Sequence, residues 1–389
     1  MGDSWLLGCT SLCLFVVILV RWVGGLLYSE MLGEIVAGVV VGPYFMDVMP
    51  FPDAIVWIGD LGLILLIVEA GIQFDVQNLK QSGVRTVLAA TTGVIVPLIV
   101  CPGFLWLFGA SLVESFAGSA CMASTSIGFS VTLLQNHGMM GTPLGQIISG
   151  AAMIDDIESI VLLGMLSSLG GTLGVADTLL SMIIPIISSF VLLLVGGLLC
   201  WSLPEVSKWI SEGLKSLKIR YLRMRFNEPD TEEETEEISE LPGDFFFFFI
   251  LGITSFFVLL SIGVRTTYLL GAFVSGIVVS QVPGAKESFQ SLEGLIRLLM
   301  SLFFVSIGFY IPIRQLFQWD VILLGIVFTI PAILSKIIVG IYESEWNNKL
   351  ILGWAMVGRG EVGLMMVSSA LQDGILSQRI FLIVIWALV

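Results

Sequence analysis

Long apolar stretches, separated by short polar turns, recur along the whole chain. A helix of about 20 apolar residues crosses the roughly 30 Å hydrocarbon core of a bilayer. The pattern predicts thirteen spans, near residues 5–24, 29–45, 54–73, 84–108, 113–135, 143–169, 176–203, 244–263, 267–282, 292–312, 320–342, 349–371 and 378–389. We therefore expect an all-α polytopic membrane protein of about 13 transmembrane helices.

The two outermost spans have unusual ends. The first follows Met1, Gly2 and Asp3, which lack the positive charge that precedes the core of a cleaved signal peptide, so we expect a retained span. The last has only a dozen residues, fewer than the 17 to 25 of a transmembrane helix. We expect that helix to continue beyond Val389.

Composition supports a membrane protein and excludes a soluble one. Hydrophobic residues make up 56% of the chain, charged residues only 12%, and the mean hydropathy is +1.00, whereas about a quarter of the residues in soluble domains are charged. The formal net charge of −14 reflects one acidic run and indicates no nucleic-acid partner. Eight acids form that run: Glu228, Asp230, Glu232, Glu233, Glu234, Glu236, Glu237 and Glu240.

The five cysteines fall in apolar stretches, without CxxC spacing or neighbouring histidines. They are Cys9, Cys13, Cys101, Cys121 and Cys200. This distribution predicts neither a disulfide framework nor a metal centre, and no cofactor is expected.

Basic residues orient the chain, because cytoplasmic loops carry an excess of Lys and Arg. One set of alternating loops holds eleven basic residues and the other holds three. The amino terminus is therefore predicted outside and the long loop 205–243 in the cytoplasm. Arg297, Lys336 and Arg359 remain inside spans or at their edges, so their charges need partners.

The loop 205–243 has a basic amphipathic first part and an acidic second part. One interpretation is an interfacial helix on anionic lipid, followed by a solvated tether. The alternative is a regulatory latch on the transmembrane core.

An internal repeat relates the two halves of the chain. Leu32–Val41 matches Leu270–Val279 at an offset of 238, and Ile67–Ile72 matches Phe304–Phe309 at an offset of 237. Corresponding spans are seven apart, so two six-helix repeats would have opposite orientations, with the seventh span as connector. Inverted repeats of this kind are typical of alternating-access secondary transporters.

Such transporters bind their substrates near the midplane, at broken helices. The fifth and twelfth spans correspond in the repeat and carry small or polar runs, Ser124–Ser130 and Gly358–Gly363. We predict that both are interrupted there, with Ser124, Thr125 and Ser126 offering hydroxyls and carbonyls to an ion. Small-residue helix packing is the alternative.

Two adjacent carboxylates, Asp155 and Asp156, lie in the middle of the sixth span. Each charge at that depth costs about 2.5–3.5 kcal/mol on insertion scales, so function rather than stability explains the pair. Because adjacent helical side chains point about 100° apart, one carboxylate can face an ion and the other a protein partner. Lys336 is the candidate salt-bridge partner, and because burial and an acidic neighbour act on it in opposite directions, it could also bind and release a proton. A purely structural Lys–Asp pair is the alternative.

Other intramembrane acids have less specific interpretations. Glu361 lies two residues from Arg359, and we expect both to form ion pairs that stabilise the core. Internal pairing is likewise expected for Glu34 and Glu69, and contact with the transported ion is the alternative for all three acids. Glu158 lies one turn after Asp155; it either lines an access funnel or reaches the interface.

Five segments together resemble the monovalent cation:proton antiporter-2 family, which is related to bacterial sodium/proton antiporters and potassium efflux transporters. The segments are Leu32–Gly38 with Gly42–Pro43, Leu61–Leu66, Asp155–Asp156, Leu302–Gly308 and Arg359–Leu364. They occur in the family's order from the second to the twelfth span.

The resemblance implies a homodimer in which spans 1–3 and 8–10 form a scaffold, while spans 4–6 and 11–13 form a mobile core. It implies that Asp156 carries the metal ion or the proton, that Asp155 pairs with Lys336 when the ion is absent, and that the exchange is electrogenic. The scaffold would comprise residues 1–75 and 244–313, and the core would comprise residues 76–170 and 314–389. Residues 171–204 would form the connector and residues 205–243 the cytoplasmic loop. Glu158 and the acidic loop depart from the family pattern.

These features favour a carrier that exchanges Na⁺ for H⁺ by elevator-like alternating access. A K⁺ or Li⁺ exchanger, a gated cation channel of the same fold and a sensor that binds ions without moving them are the alternatives. The buried lysine–carboxylate arrangement favours a coupled carrier over a channel or a sensor.

Overall fold

A computed structural model describes residues 30–47, 49, 51–74, 76–126, 130, 134–135, 137–139, 141–169, 180, 183–199, 243–282 and 285–388. Within these ranges the regular elements are helices, and no strand is present. The first predicted span, nearly all of the loop 205–243, and Cys9, Cys13 and Cys200 lie outside the described residues.

The helices of the first half follow the predicted apolar stretches. They are α1 (Glu30–Val41), α2 (Pro52–Gln73), α3 (Val76–Leu107), α4 (Leu112–Cys121), α5 (Pro143–Leu169) and α6 (Ile183–Leu199). Helix α5 has the same bounds as the apolar stretch 143–169. Helix α3 begins eight residues before its predicted start, and the chain departs from helical geometry at Gly83, whose φ is 74°.

The second half contains nine further α-helices within the described residues. They are α7 (Gly243–Gly263), α8 (Tyr268–Val279), α9 (Ala285–Gln290), α10 (Glu293–Gly308), α11 (Ile313–Leu316), α12 (Trp319–Ile337), α13 (Trp346–Ala355), α14 (Glu361–Gln372) and α15 (Gln378–Leu388). A 3₁₀-helix, Ile338–Tyr342, continues α12.

Three of the described helical segments are long and apolar enough to cross a membrane. These are Pro52–Gln73, Gly83–Leu107 and Trp319–Tyr342, with mean hydropathies of 2.2, 2.0 and 2.4. Five shorter apolar helices accompany them, including α8 and α15.

The chain divides into two compact units. The larger contains Met1–Gly62, Asp75–Ile186 and Leu299–Val389, and the smaller contains Leu63–Phe74 and Ile187–Leu298. In the larger unit, α3 packs along α4, α5 and α12, and α14 packs on α4, α5 and α15. This packing brings the candidate site residues of both halves of the chain together.

Each unit contains a crossing of two helices at glycines. In the larger unit, a Cβ on Gly308 of α10 would lie 2.6 Å from the backbone nitrogen of Val39 in α1, and a Cβ on Gly38 would lie 2.0 Å from the backbone oxygen of Val305. In the smaller unit, Gly276 of α8 meets the backbone of Gly71 in α2. Only glycine permits backbones to approach so closely.

Candidate functional site

Two interruptions of the helical backbone meet in the larger unit, as the sequence predicted. The first follows the end of α4 at Cys121, and the second lies between α13 and α14. The Ser126 amide donates a hydrogen bond to the Gly358 carbonyl at 2.9 Å. A Cβ on Gly360 would lie 2.8 Å from Ser126 Cα, so a glycine is needed there. The two interrupted segments therefore cross in direct contact.

Hydroxyl groups strengthen this crossing. Ser130 Oγ donates to the Ala355 carbonyl at 2.8 Å, and Thr125 Oγ1 donates to the Met356 carbonyl at 3.2 Å. Both bonds run from the first interrupted segment to the end of α13. The predicted residues Ser124, Thr125 and Ser126 are all buried, and Ser124 Oγ donates to the carbonyl of Cys121, the last residue of α4.

Asp155 and Lys336 form an ion pair beside the crossing. Lys336 Nζ lies 2.9 Å from Asp155 Oδ1, and neither side chain is exposed. Nζ also donates to Thr125 Oγ1 at 2.6 Å, while the Thr125 amide donates to Asp155 Oδ2 at 2.6 Å. Both carboxylate oxygens thus have partners, as a buried ion pair requires.

Asp156 has different surroundings from its neighbour. Its side chain is only partly buried, and within the described residues its carboxylate makes no hydrogen bond or ion pair. Glu361 and Asp155 are its negative electrostatic neighbours, and Lys336 is the positive one. Because α5 turns about 100° per residue, Asp156 points away from the Asp155–Lys336 pair. It presents two carboxylate oxygens, which are hard ligands suited to a small cation.

The Arg359 side chain contacts backbone carbonyl groups rather than Glu361. The Arg359 guanidinium donates to the Met122 carbonyl, to the Ser124 carbonyl at 3.3 Å and to the Ala332 carbonyl at 2.9 Å. Glu361 is the first residue of α14. A cation at the carboxyl end of α4 and an anion at the amino end of α14 each interact favourably with the dipole of that helix. No ion pair joins them in the described structure.

Two further acids of the sequence analysis lie away from the crossing. Glu34 in α1 is buried and accepts a hydrogen bond from Ser301 Oγ at 2.5 Å. Glu69 near the end of α2 accepts from Gln73 Nε2 at 3.0 Å on its own helix.

Sequence reasoning missed a set of contacts on α3. Thr91 Oγ1 donates to Glu158 Oε1 at 2.7 Å, and the hydroxyls of Thr92 and Tyr342 lie 2.7 Å apart. The only signal was the Thr91–Thr92–Gly93 run in an apolar span. Within the described ranges no group of three or more His, Cys, Asp and Glu is arranged to hold a metal ion.

Comparisons with known proteins identify the family of this chain. The family model described as "Sodium/hydrogen exchanger, transmembrane" matches residues 10–224 and 234–389. The "Probable Na(+)/H(+) antiporter GerT" of Bacillus cereus is 25% identical over 363 residues, covering 90% of this chain and 87% of GerT. The "K(+) efflux antiporter 5" of Arabidopsis thaliana is 22% identical over 380 residues, covering 96% of this chain and 63% of its own length.

A solved structure shares the fold. The sodium proton antiporter MjNhaP1 from Methanocaldococcus jannaschii, at pH 8, superposes with a TM-score of 0.66 at 16% sequence identity. The match covers 100% of this chain and 94% of MjNhaP1.

Proposed function

Because this chain belongs to the sodium/hydrogen exchanger family of transmembrane proteins, and is thus an integral membrane transporter and not an enzyme, we propose that it exchanges a monovalent cation for protons. Sodium is the proposed cation, and its exchange is electrogenic. The transported ions are substrates, and no resident cofactor takes part.

The observation that carries this proposal is the difference between the two aspartates. Asp155 is fully engaged by Lys336 and Thr125, whereas Asp156 has no hydrogen bond or ion pair with any described residue. A proton and a cation can compete for such a carboxylate, because its oxygens bind either one. Competition at one site couples the two fluxes. Asp156 is thus the proposed ion- and proton-binding residue.

The crossing of the interrupted helices is the proposed ion site. Ser124, Thr125 and Ser126 already have partners in this state, so hydroxyl ligands would need to exchange those bonds for the ion. Arg359 and Glu361 stabilise the helix ends that the interruptions create. A site built this way can change its hydrogen bonds without unfolding its helices.

Alternating access by an elevator-like movement follows from the proposed inverted repeat. In that repeat, Gly38 corresponds to Gly276 and Gly71 to Gly308. The glycine crossings support it, because Gly38 meets Gly308 and Gly276 meets Gly71, which are equivalent pairs. The proposed scaffold comprises spans 1–3 and 8–10 of a homodimer, and the proposed mobile core comprises spans 4–6 and 11–13. The amino terminus is proposed outside.

Flux in liposomes tests the function. The purified protein is reconstituted, a proton gradient is imposed, and Na⁺, Li⁺ or K⁺ is added while a pH dye reports the internal pH. We expect Na⁺ to collapse the gradient, and to do so faster when the membrane potential is set to favour net charge movement. Empty liposomes provide the control.

Other outcomes would redirect the proposal. Because relatives named as potassium antiporters also match the chain, dissipation with K⁺ but not Na⁺ would assign a potassium/proton exchanger. Cation flux without proton movement would indicate a channel. No cation-dependent flux at all would contradict the proposed function.

A further inference from the structure

Glu158 is a partly buried acid that has no role in the proposed exchange mechanism. Its Oε1 accepts a hydrogen bond from Thr91 Oγ1 at 2.7 Å, which directs the carboxylate toward α3. Its Oε2 is also buried but has no hydrogen-bond partner in the described part of the chain. A buried carboxylate oxygen without a partner is costly, so this oxygen calls for an explanation.

Among the described residues, the positive charge that acts on Glu158 is that of Lys336. Glu158 and Lys336 interact electrostatically, and Asp155 is the other charged neighbour of Glu158 among the described residues. Positions three apart on a helix share a face, so Asp155 and Glu158 present two carboxylates to the same side of α5. They are separated by about one turn, or roughly 5 Å along the axis.

A glycine of α3 faces the lysine ammonium group. Lys336 Nζ lies 3.6 Å from the point that a Cβ would occupy on Gly93 of α3. Because glycine has no side chain, α3 leaves room beside the ammonium group at this point. The lysine side chain has four rotatable bonds, so its terminal group can change direction while the backbone of α12 stays in place.

We propose that Glu158 is a second acceptor for the Lys336 ammonium group, occupied when Asp155 is released. This inference rests on the proposed function, in which a cation binds at Asp156 and draws on the adjacent Asp155 carboxylate. Lys336 would then lose its partner while remaining buried, which a buried charge tolerates poorly. Transfer of the ammonium to Glu158 Oε2 keeps it paired in both states. Glu158 is thus a positioning residue that stabilises the cation-bound state.

The test measures sodium affinity in the purified protein by sodium-dependent thermal stabilisation, and by half-saturation of flux in liposomes. Glu158→Gln keeps the size of the side chain and the bond to Thr91 but removes the anionic acceptor. We expect about ten-fold weaker sodium affinity, because a charge-assisted bond is lost in the cation-bound state only. The rate at saturating sodium should change little. Ser159→Ala, the adjacent buried position, is the matched control and should behave like the native protein.

A double variant shows whether Glu158 affects sodium affinity through Lys336. In a Lys336→Gln background, Glu158→Gln should cause no further loss of sodium affinity, because no ammonium needs the acceptor. An equal loss in both backgrounds would show that Glu158 acts directly on the cation, and would overturn the inference. Native-like affinity in Glu158→Gln alone would also overturn it.

Two safeguards keep the test decisive. If Lys336→Gln does not yield folded protein, Glu158→Asp replaces it. This variant keeps the negative charge but shortens the side chain by one methylene group. Weaker sodium affinity then supports a direct contact between Glu158 and the ammonium group, and native sodium affinity contradicts it. If the native protein shows neither sodium binding nor flux, the proposed function has failed. If the native protein shows both, only the Glu158 result decides the inference.

Discussion

Two helix crossings in the larger unit are built in opposite ways. Where α1 meets α10, Gly38 and Gly308 bring the backbones together with no side chain between them. Where the interrupted segments meet, hydroxyls, carbonyls and charges make the contacts, including the bonds of Thr125 to Met356 and to Lys336. The first crossing depends on shape and the second on hydrogen bonds.

This difference indicates which crossing can rearrange. Close backbone packing has one arrangement, since any shift either opens a gap or causes a clash. Hydrogen bonds between hydroxyls and carbonyls can be exchanged for bonds to an ion at similar cost. A ligand can then shift the conformational equilibrium through its differential affinity for two arrangements. We therefore propose that the interrupted segments respond to the ion and that the glycine crossing stays rigid.

The largest expected effect on stability comes from breaking the buried ion pair. Lys336→Met leaves the Asp155 carboxylate buried without its cation, and such single removals cost about 3–5 kcal/mol. The melting temperature of the purified protein should fall accordingly. The double variant Asp155→Leu with Lys336→Met should recover most of the loss, because no uncompensated charge remains. Equal melting temperatures of the native and Lys336→Met proteins would contradict the role of the pair in stability.

A smaller loss is expected at the glycine crossing. Gly308→Ala places a methyl group against the backbone of α1, and overpacking of this kind costs about 1–3 kcal/mol. Gly294→Ala, on the same helix α10 with nothing within 4 Å of its Cβ position, should instead be neutral or slightly stabilising. Thermal unfolding of both variants checks this. A Gly308→Ala protein as stable as Gly294→Ala would show that the crossing tolerates side chains.

The smallest effect is expected at an exposed ion pair. Arg379 and Asp320 lie 3.6 Å apart, with side chains 54% and 56% exposed. Arg379→Ala should cost less than about 1 kcal/mol, because solvent screens exposed pairs. A loss as large as that of Lys336→Met would mean that burial does not account for the difference between the two pairs.

Much of the site could be predicted from sequence because charge is rare in apolar stretches. Asp155, Asp156 and Lys336 stood out for that reason, and the Ser–Thr and Gly-rich runs indicated the interruptions. The partners of Arg359 could not be predicted, because every residue has a backbone carbonyl and the residue types do not indicate which carbonyl accepts a hydrogen bond. The Thr91–Glu158 bond joins residues 67 apart, and no periodicity connects them.

Helix boundaries followed hydropathy except where local geometry intervened. Helix α1 ends at Val41, four residues before its predicted end, because Gly42 and Pro43 follow. The proline has no amide hydrogen to continue the helical pattern. Hydropathy alone could not place this end, because the following residues, Tyr44 to Met46, are themselves apolar.

Proton release on sodium binding tests the central claim most directly. Purified protein in weakly buffered detergent solution is titrated with NaCl while a pH dye records released protons, with choline chloride as the ionic-strength control. If a proton and a cation compete at Asp156, the native protein and Asp320→Asn should release protons on sodium addition, and Asp156→Asn should release none. Undiminished proton release from a folded Asp156→Asn protein would contradict the account.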